Sequence, residues 1–144
     1  KKTGMHTTFE ICAKNADKPP LTFFEIKRTI DQFQNDESWM LTSAGRFSEK
    51  VEMFPNSVFI IGADTLLRVF DEKFYKSHKD MMEHIQRFND HNINFLVFGR
   101  KVNNKFISLD KIKVPEIIKS RCTGFEEASF RDDISSTELR LIKD

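Results

Sequence analysis

The side chains best suited to chemistry in this chain are gathered near its end, in the run Asp133-Ile134-Ser135-Ser136-Thr137-Glu138-Leu139-Arg140. Ser135, Ser136 and Thr137 put three hydroxyls at the start of an expected helix, where backbone N–H groups have no intrahelical partner, and Arg140 follows about one turn inside. Amide donors, hydroxyls and a forked guanidinium together suit a polyphosphate. The spacing Ser135 to Glu138 is equally that of an ordinary capping box, so spacing alone leaves both readings open. Other chemistries find little support. Cys12 and Cys122 form no Cys-x-x-Cys and have no histidine close in sequence, which gives neither a zinc knuckle nor a disulfide framework and leaves packed thiols as the expectation. His84 and His91, seven apart on an expected helix, are read as sharing a solvated face.

The elements that must position these groups follow from periodicity and punctuation. Residues 7–13 read as a strand, stopped by Pro19-Pro20. Thr22 and Glu25 have capping-box spacing, flanked by Leu21 and Ile26 as a hydrophobic staple, and predict a helix over 23–34. Its apolar stripe, Phe23, Ile26, Ile30 and Phe33, should lie against a neighbour. A strand at 39–42 and a helix at 47–54 follow, ended by Pro55-Asn56. Val58-Phe59-Ile60-Ile61 is apolar throughout, as a strand covered on both faces is, and is expected to be central in a mainly parallel sheet. Helical spacing returns over 66–70 and 79–91, the latter with Met82, Ile85 and Phe88 or Asn89 on one face. A second covered strand spans 93–98 and ends at Gly99-Arg100; the tract 101–127 gives no clear period beyond a short strand near Phe125.

Strands alternating with amphipathic helices over 144 residues predict one α/β domain, with a Rossmann-like parallel sheet and helices on both faces. In such sheets ligands sit beyond the carboxyl ends of the strands. That directs attention to residues 14–18, 42–45, 62–65, 99–101 and 131–140. The 23 basic and 22 acidic residues are interleaved and leave a net charge of +1, so neither nucleic acid nor an anionic membrane is an expected partner. The longest apolar run falls far short of the ~20 residues of a membrane span, and a cytoplasmic protein is expected.

Two of these motifs carry a family resemblance. Ile134-Ser-Ser-Thr-Glu-Leu-Arg140 resembles the ISSTxxR signature of the nucleotidylyltransferase superfamily, and Ile61-Gly-Ala-Asp-Thr65 resembles the Gly-Ala-Asp motif of its nicotinamide mononucleotide adenylyltransferase branch. The Asn15 to Leu21 loop, Phe47-Ser-Glu-Lys50 and the Phe95 to Arg100 strand end are also similar, so the resemblance spans nearly the whole chain. It implies that Ser135, Ser136, Thr137 and Arg140 hold the triphosphate of a nucleotide donor. It further implies that Gly62 and Asp64 form a nucleoside-binding turn whose carboxylate accepts from ribose hydroxyls, and that Lys18 and Arg100 approach the phosphates, Arg140 and Lys18 serving the reaction itself. The implied reaction is transfer of a nucleotidyl group from ATP to a phosphorylated acceptor such as nicotinamide mononucleotide, with release of pyrophosphate. Magnesium would accompany the ATP without dedicated protein ligands. The alternatives are a cytidylyltransferase using CTP and a non-catalytic nucleotide-binding or regulatory module; homo-oligomerisation stays open.

One departure has a definite shape. The superfamily's His-x-Gly-His element does not occur, since His6, His78, His84 and His91 are not spaced that way. The resemblance begins at the second strand of that fold. The chain is therefore read as the C-terminal part of a longer domain, its first strand and helix preceding Lys1. In the implied sheet that strand lies between the strand of Phe9 and the strand of Phe59, which are then not expected to pair directly.

Overall fold

The computed structural model describes residues 4–14 and 19–125. The chain divides into two compact units, residues 1–50 and 51–144. Both are built from parallel strands joined through helices, which establishes a mixed α/β architecture.

In the first unit β1 (Thr8–Cys12) lies parallel to β2 (Ser38–Thr42), with α1 (Phe23–Ile30) in the connection between them. The register sets Phe9 beside Trp39 and Ile11 beside Leu41. Because side chains alternate, these four share one sheet face and Glu10 and Thr42 share the other. On the first face the Phe33 ring lies tilted against Phe9 at 5.2 Å and stacks on Trp39 at 6.4 Å. The other face receives Lys50, whose Nζ donates to Glu10 Oε2 at 2.6 Å, while Thr42 Oγ1 donates to Glu10 Oε1 at 2.5 Å. Lys50 retains 8% side-chain exposure, so the ion pair is the condition for burying it at all.

Helix α1 begins where the capping box requires: Glu25 N–H donates to Thr22 Oγ1, and Thr22 N–H donates to Glu25 Oε2 at 2.8 Å. It ends four residues before the expected position. Gln32 and Phe33 donate instead to Thr29 and Ile30, tightening the chain into i−3 turns, and Gln34 N–H is then taken up by the Glu37 carboxylate at 2.8 Å. Its stripe is covered in part: Ile26, Ile30 and Phe33 are half-buried, with Phe33 against Phe9 and Trp39, whereas Phe23 stays outside. No residue of α1 is buried, and Phe23 is 75% exposed among the described residues.

The second unit holds three parallel strands in the order β3 (Val58–Gly62), β4 (Asn94–Phe98), β7 (Cys122–Phe125). β4 is the middle one. The apolar run of β3 suggested a central strand, yet among the described residues β3 pairs on one side alone, and Ile60 is 57% exposed. Within each unit the described parallel strands form a sheet of their own, β1 with β2 in the first and β3, β4 and β7 in the second.

Between β3 and β4 run α3 (Ala63–Val69), a 3₁₀ turn at Glu72–Phe74, and α4 (His78–Asp90). Helix α4 turns Met81, Ile85 and Phe88 inward, so Met81 rather than Met82 belongs to the buried face. Phe88 meets Phe95 of β4 edge to face at 5.3 Å, and Leu66, Ile85, Phe95, Val97 and Ile118 complete a fully buried core. The end of α4 is fixed by Asn92, at φ 53°: Ile93 N–H donates to Phe88 O at 2.8 Å and Asn92 N–H to Asn89 O at 3.1 Å, the paired bonds of a Schellman stop. This sets where β4 starts, and with it the register that delivers Arg100.

The tract without a clear period contains an antiparallel hairpin, β5 (Arg100–Val102) and β6 (Lys105–Ile107). Its two-residue turn, Asn103-Asn104, has φ 48° and 62°, the left-handed pair a tight hairpin needs and asparagine tolerates. A helix α2 (Phe47–Met53) contains the boundary between the units, and α5 (Glu116–Lys119) precedes β7.

Candidate functional site

The β3–β4 register places Gly62 opposite Phe98 at the carboxyl ends of the two strands. Two residues further each chain segment presents a charge: Asp64 in the first turn of α3, and Arg100 at the start of β5. Asp64 Oδ1 lies 3.9 Å from Arg100 Nε, and its Oδ2 lies 3.8 Å from Arg68 Nη2, one helical turn along α3. A single carboxylate thus stands between guanidiniums from two different elements. All three groups keep solvent contact, with side-chain exposures of 38%, 35% and 45% for Asp64, Arg100 and Arg68.

Glycine at position 62 is required by this arrangement rather than by backbone conformation. Its φ of −79° and ψ of 153° suit any residue. A Cβ there would collide with Asp64 Oδ1 and lie 3.0 Å from Arg100 Cγ. At Gly99 a Cβ would run into the Phe106 ring, which therefore packs over bare backbone and fastens the hairpin beside the strand end. The site consists of a floor without a side chain, a carboxylate that accepts hydrogen bonds, and guanidiniums that bind anions in a planar fork.

Of the residues the sequence singled out, Gly62, Asp64 and Arg100 are brought together. Lys18, Ser135, Ser136, Thr137 and Arg140 lie outside the described residues. Arg68 went unnoticed in the sequence, although its i, i+4 spacing from Asp64 on a helix was a readable signal. His84 is not on a solvated face: its side chain is 16% exposed, packs 5.5 Å from the Tyr75 ring and lies 3.6 Å from Asp80. Cys12 Sγ donates to backbone carbonyls of Lys14 and Ala44 at 3.0 and 3.1 Å. Burial pushes the Cys122 thiol up to about 11, so it is held neutral.

Elsewhere in the second unit an open, largely apolar groove of about 1380 Å³ runs past Leu67, Phe70, Met81, Ile112 and Cys122. Neither Gly62, Asp64 nor Arg100 lines it. No described helix is long and apolar enough to cross a membrane. Comparison with known proteins gave no match: no family model, no curated protein and no solved structure is significantly similar to the chain.

Proposed function

We propose that the chain carries the donor-binding half of a nucleotidylyltransferase-like enzyme, joining the nucleotidyl group of ATP to a phosphorylated acceptor such as nicotinamide mononucleotide and releasing pyrophosphate. The observation that supports it best is the meeting of Gly62, Asp64 and Arg100 at the carboxyl ends of adjacent parallel strands, the end of an open α/β sheet where ligands bind. In this reading the Asp64 carboxylate accepts from ribose hydroxyls and the Gly62 floor admits the nucleoside against the backbone. Arg100 faces the phosphates, together with Lys18 and the Ser135, Ser136, Thr137 and Arg140 set.

In-line attack by an acceptor phosphate oxygen on the α-phosphorus forms one P–O bond as the bond to pyrophosphate breaks. This needs positioning and charge neutralisation rather than a protein nucleophile. Among the described residues no three His, Cys, Asp or Glu side chains are grouped to hold a metal ion. Magnesium, arriving on the nucleotide, would add charge neutralisation at its phosphates, while the chain's own arginines and hydroxyls hold their outer oxygens.

Calorimetry with ATP and with CTP tests the binding half of the proposal, and pyrophosphate release with nicotinamide mononucleotide among several phosphorylated acceptors tests the reaction. Saturable ATP binding with turnover is expected, and preference for CTP would move the reading to a cytidylyltransferase. Binding without turnover on any acceptor would indicate a non-catalytic nucleotide-binding module. Absence of binding to either nucleotide refutes the proposal.

A further inference from the structure

We propose that the second face of the β3–β4–β7 sheet is the docking surface for the chain's own terminal segment, residues 126–144, held there by Leu139 and Ile142 of the helix expected at its end. The register divides the side chains of the three strands between two faces. Ile61, Phe95 and Val97 belong to the first, where they are buried and Phe88 of α4 packs on Phe95. The second carries three rows across the sheet: Val58 with Asn94; Ile60 with Leu96 and Thr123; Gly62 with Phe98 and Phe125. None of these residues is charged, yet Ile60 is 57% exposed and Thr123 is exposed as well. A parallel sheet with apolar side chains on both faces needs a covering layer on each.

The terminal segment leaves from this surface. Phe125 ends β7 in the row at the carboxyl ends of the strands, and residues 126–144 follow it. Residues 126–134 reach up to ~30 Å when extended, against ~10 Å across three strands, so the following helix can lie over any of them. Its sequence gives it one apolar side: Ser135 and Glu138 have capping-box spacing, Ile134 and Leu139 flank them as a hydrophobic staple, and Ile142 follows Leu139 at three positions. Residues 136–144 would span ~13 Å as a helix, close to the ~16 Å of a five-residue strand. So short a helix does not hold itself in water. Its apolar side and the uncharged sheet face therefore each lack what the other supplies. Entered from the carboxyl ends of the strands, the helix has its first turn at the end of the sheet that carries Gly62, Asp64 and Arg100. In the nucleotide-binding reading this is how Ser135, Ser136, Thr137 and Arg140 reach the ligand; the docking itself does not depend on that reading.

Hydrogen–deuterium exchange of the whole chain without nucleotide, read by mass spectrometry, tests the docking. In the parent chain the amides of residues 139–144 are expected to exchange roughly tenfold or more slower than those of an unstructured peptide. Ile60→Asp sets a carboxylate beneath the helix and should return them to the unstructured rate, while α4, which covers the first face, keeps its protection. Ile60→Thr replaces Ile60→Asp if α4 loses protection too. Met82→Asp, in the apolar groove, should leave residues 139–144 as they are in the parent. Unprotected amides in the parent chain, or protection that survives substitution of Ile60, overturns the proposal. So does protection lost with Met82→Asp, which would place the segment in the groove. Calorimetry with ATP on the parent chain separates this inference from the nucleotide reading: docking without ATP binding refutes only the latter, and ATP binding without docking refutes only the former.

Discussion

Substituting Gly62 by alanine separates the candidate site from the fold around it. The backbone at position 62 is extended, φ −79° and ψ 153°, so alanine meets no conformational strain there, and loss of unfolded-state freedom favours the variant by ~0.4–1 kcal/mol. Against this stand a poorer N-cap for α3, roughly 0.5–1 kcal/mol, and displacement of Asp64 and Arg100, whose loose pairs contribute about 0.2–1 kcal/mol each. The atoms a new Cβ would strike are Asp64 Oδ1 and the Cγ and Nε of Arg100, ends and stems of side chains with solvent beside them, so they can move without disturbing the core. The opposing contributions leave a net change within about 1 kcal/mol, or a shift of roughly 2–4 °C in Tm for a chain of this size. The ligand has no such freedom. If Asp64 and Arg100 hold ribose and phosphate, their displacement forfeits charge-assisted contacts of ~1.5–3 kcal/mol, a ten- to hundredfold loss of ATP affinity. Differential scanning fluorimetry and calorimetry on the same preparations check the two halves. A Gly62→Ala variant that binds ATP as the parent does would refute the placement of the ligand at this turn. One whose Tm falls by 10 °C or more would show that the glycine serves packing instead.

Lys50→Met should destabilise the protein by about 2–3 kcal/mol, less than the 3–5 typical of breaking a fully buried pair because the Glu10 side chain keeps 25% exposure; the double variant with Glu10→Gln should recover part of this, and a neutral Lys50→Met in urea unfolding would contradict the role of the pair. For Cys122 the neutral thiol is favoured in the fold, its value raised from 9.0 to about 11 by burial, so the unfolded chain ionises first and stability should fall as pH rises from 9 towards 11, a slope that Cys122→Ala removes. The same two-unit rise implies a thiolate fraction at pH 8 roughly a hundredfold below that of an ordinary cysteine, and alkylation of Cys122 followed by mass spectrometry should be correspondingly slow; rapid modification would show the thiol to be better solvated than its surroundings indicate. Arg140→Ala should weaken ATP by about tenfold or more with little change in Tm, and equal affinity in calorimetry would remove the terminal motif from the proposed site.

How legible the protein was in its sequence differed from element to element, and the differences have physical causes. The start of α1 could be read residue by residue, because a capping box is made by side chains and amides three positions apart and owes nothing to the rest of the fold. Its end could not: residues 31–34 continue the apolar stripe, but local i−3 bonds and the Glu37 carboxylate give the chain a turn to adopt instead. Strands β3 and β4 announced themselves as continuous apolar runs, whereas the β5–β6 hairpin did not, since three-residue strands are too short for alternation to register. Its Asn103-Asn104 turn was the one local cue.

The site divides in the same way. Sequence alone determined that Gly62 and Asp64 follow an apolar strand and that Arg100 follows another, because strand ends are marked by composition within a few residues. It also carried the i, i+4 relation of Asp64 to Arg68, which any helix at that point would produce. Only the tertiary structure decided that Arg100 meets Asp64 from 36 positions away. That contact depends on parallel pairing of β3 with β4 in one register, on the Schellman stop that sets where β4 begins, and on a hairpin held down by Phe106 over Gly99. Each of these is a non-local constraint, and a shift of one residue in the register would turn the side chains of β4 to the opposite face and carry Arg100 away from the carboxylate.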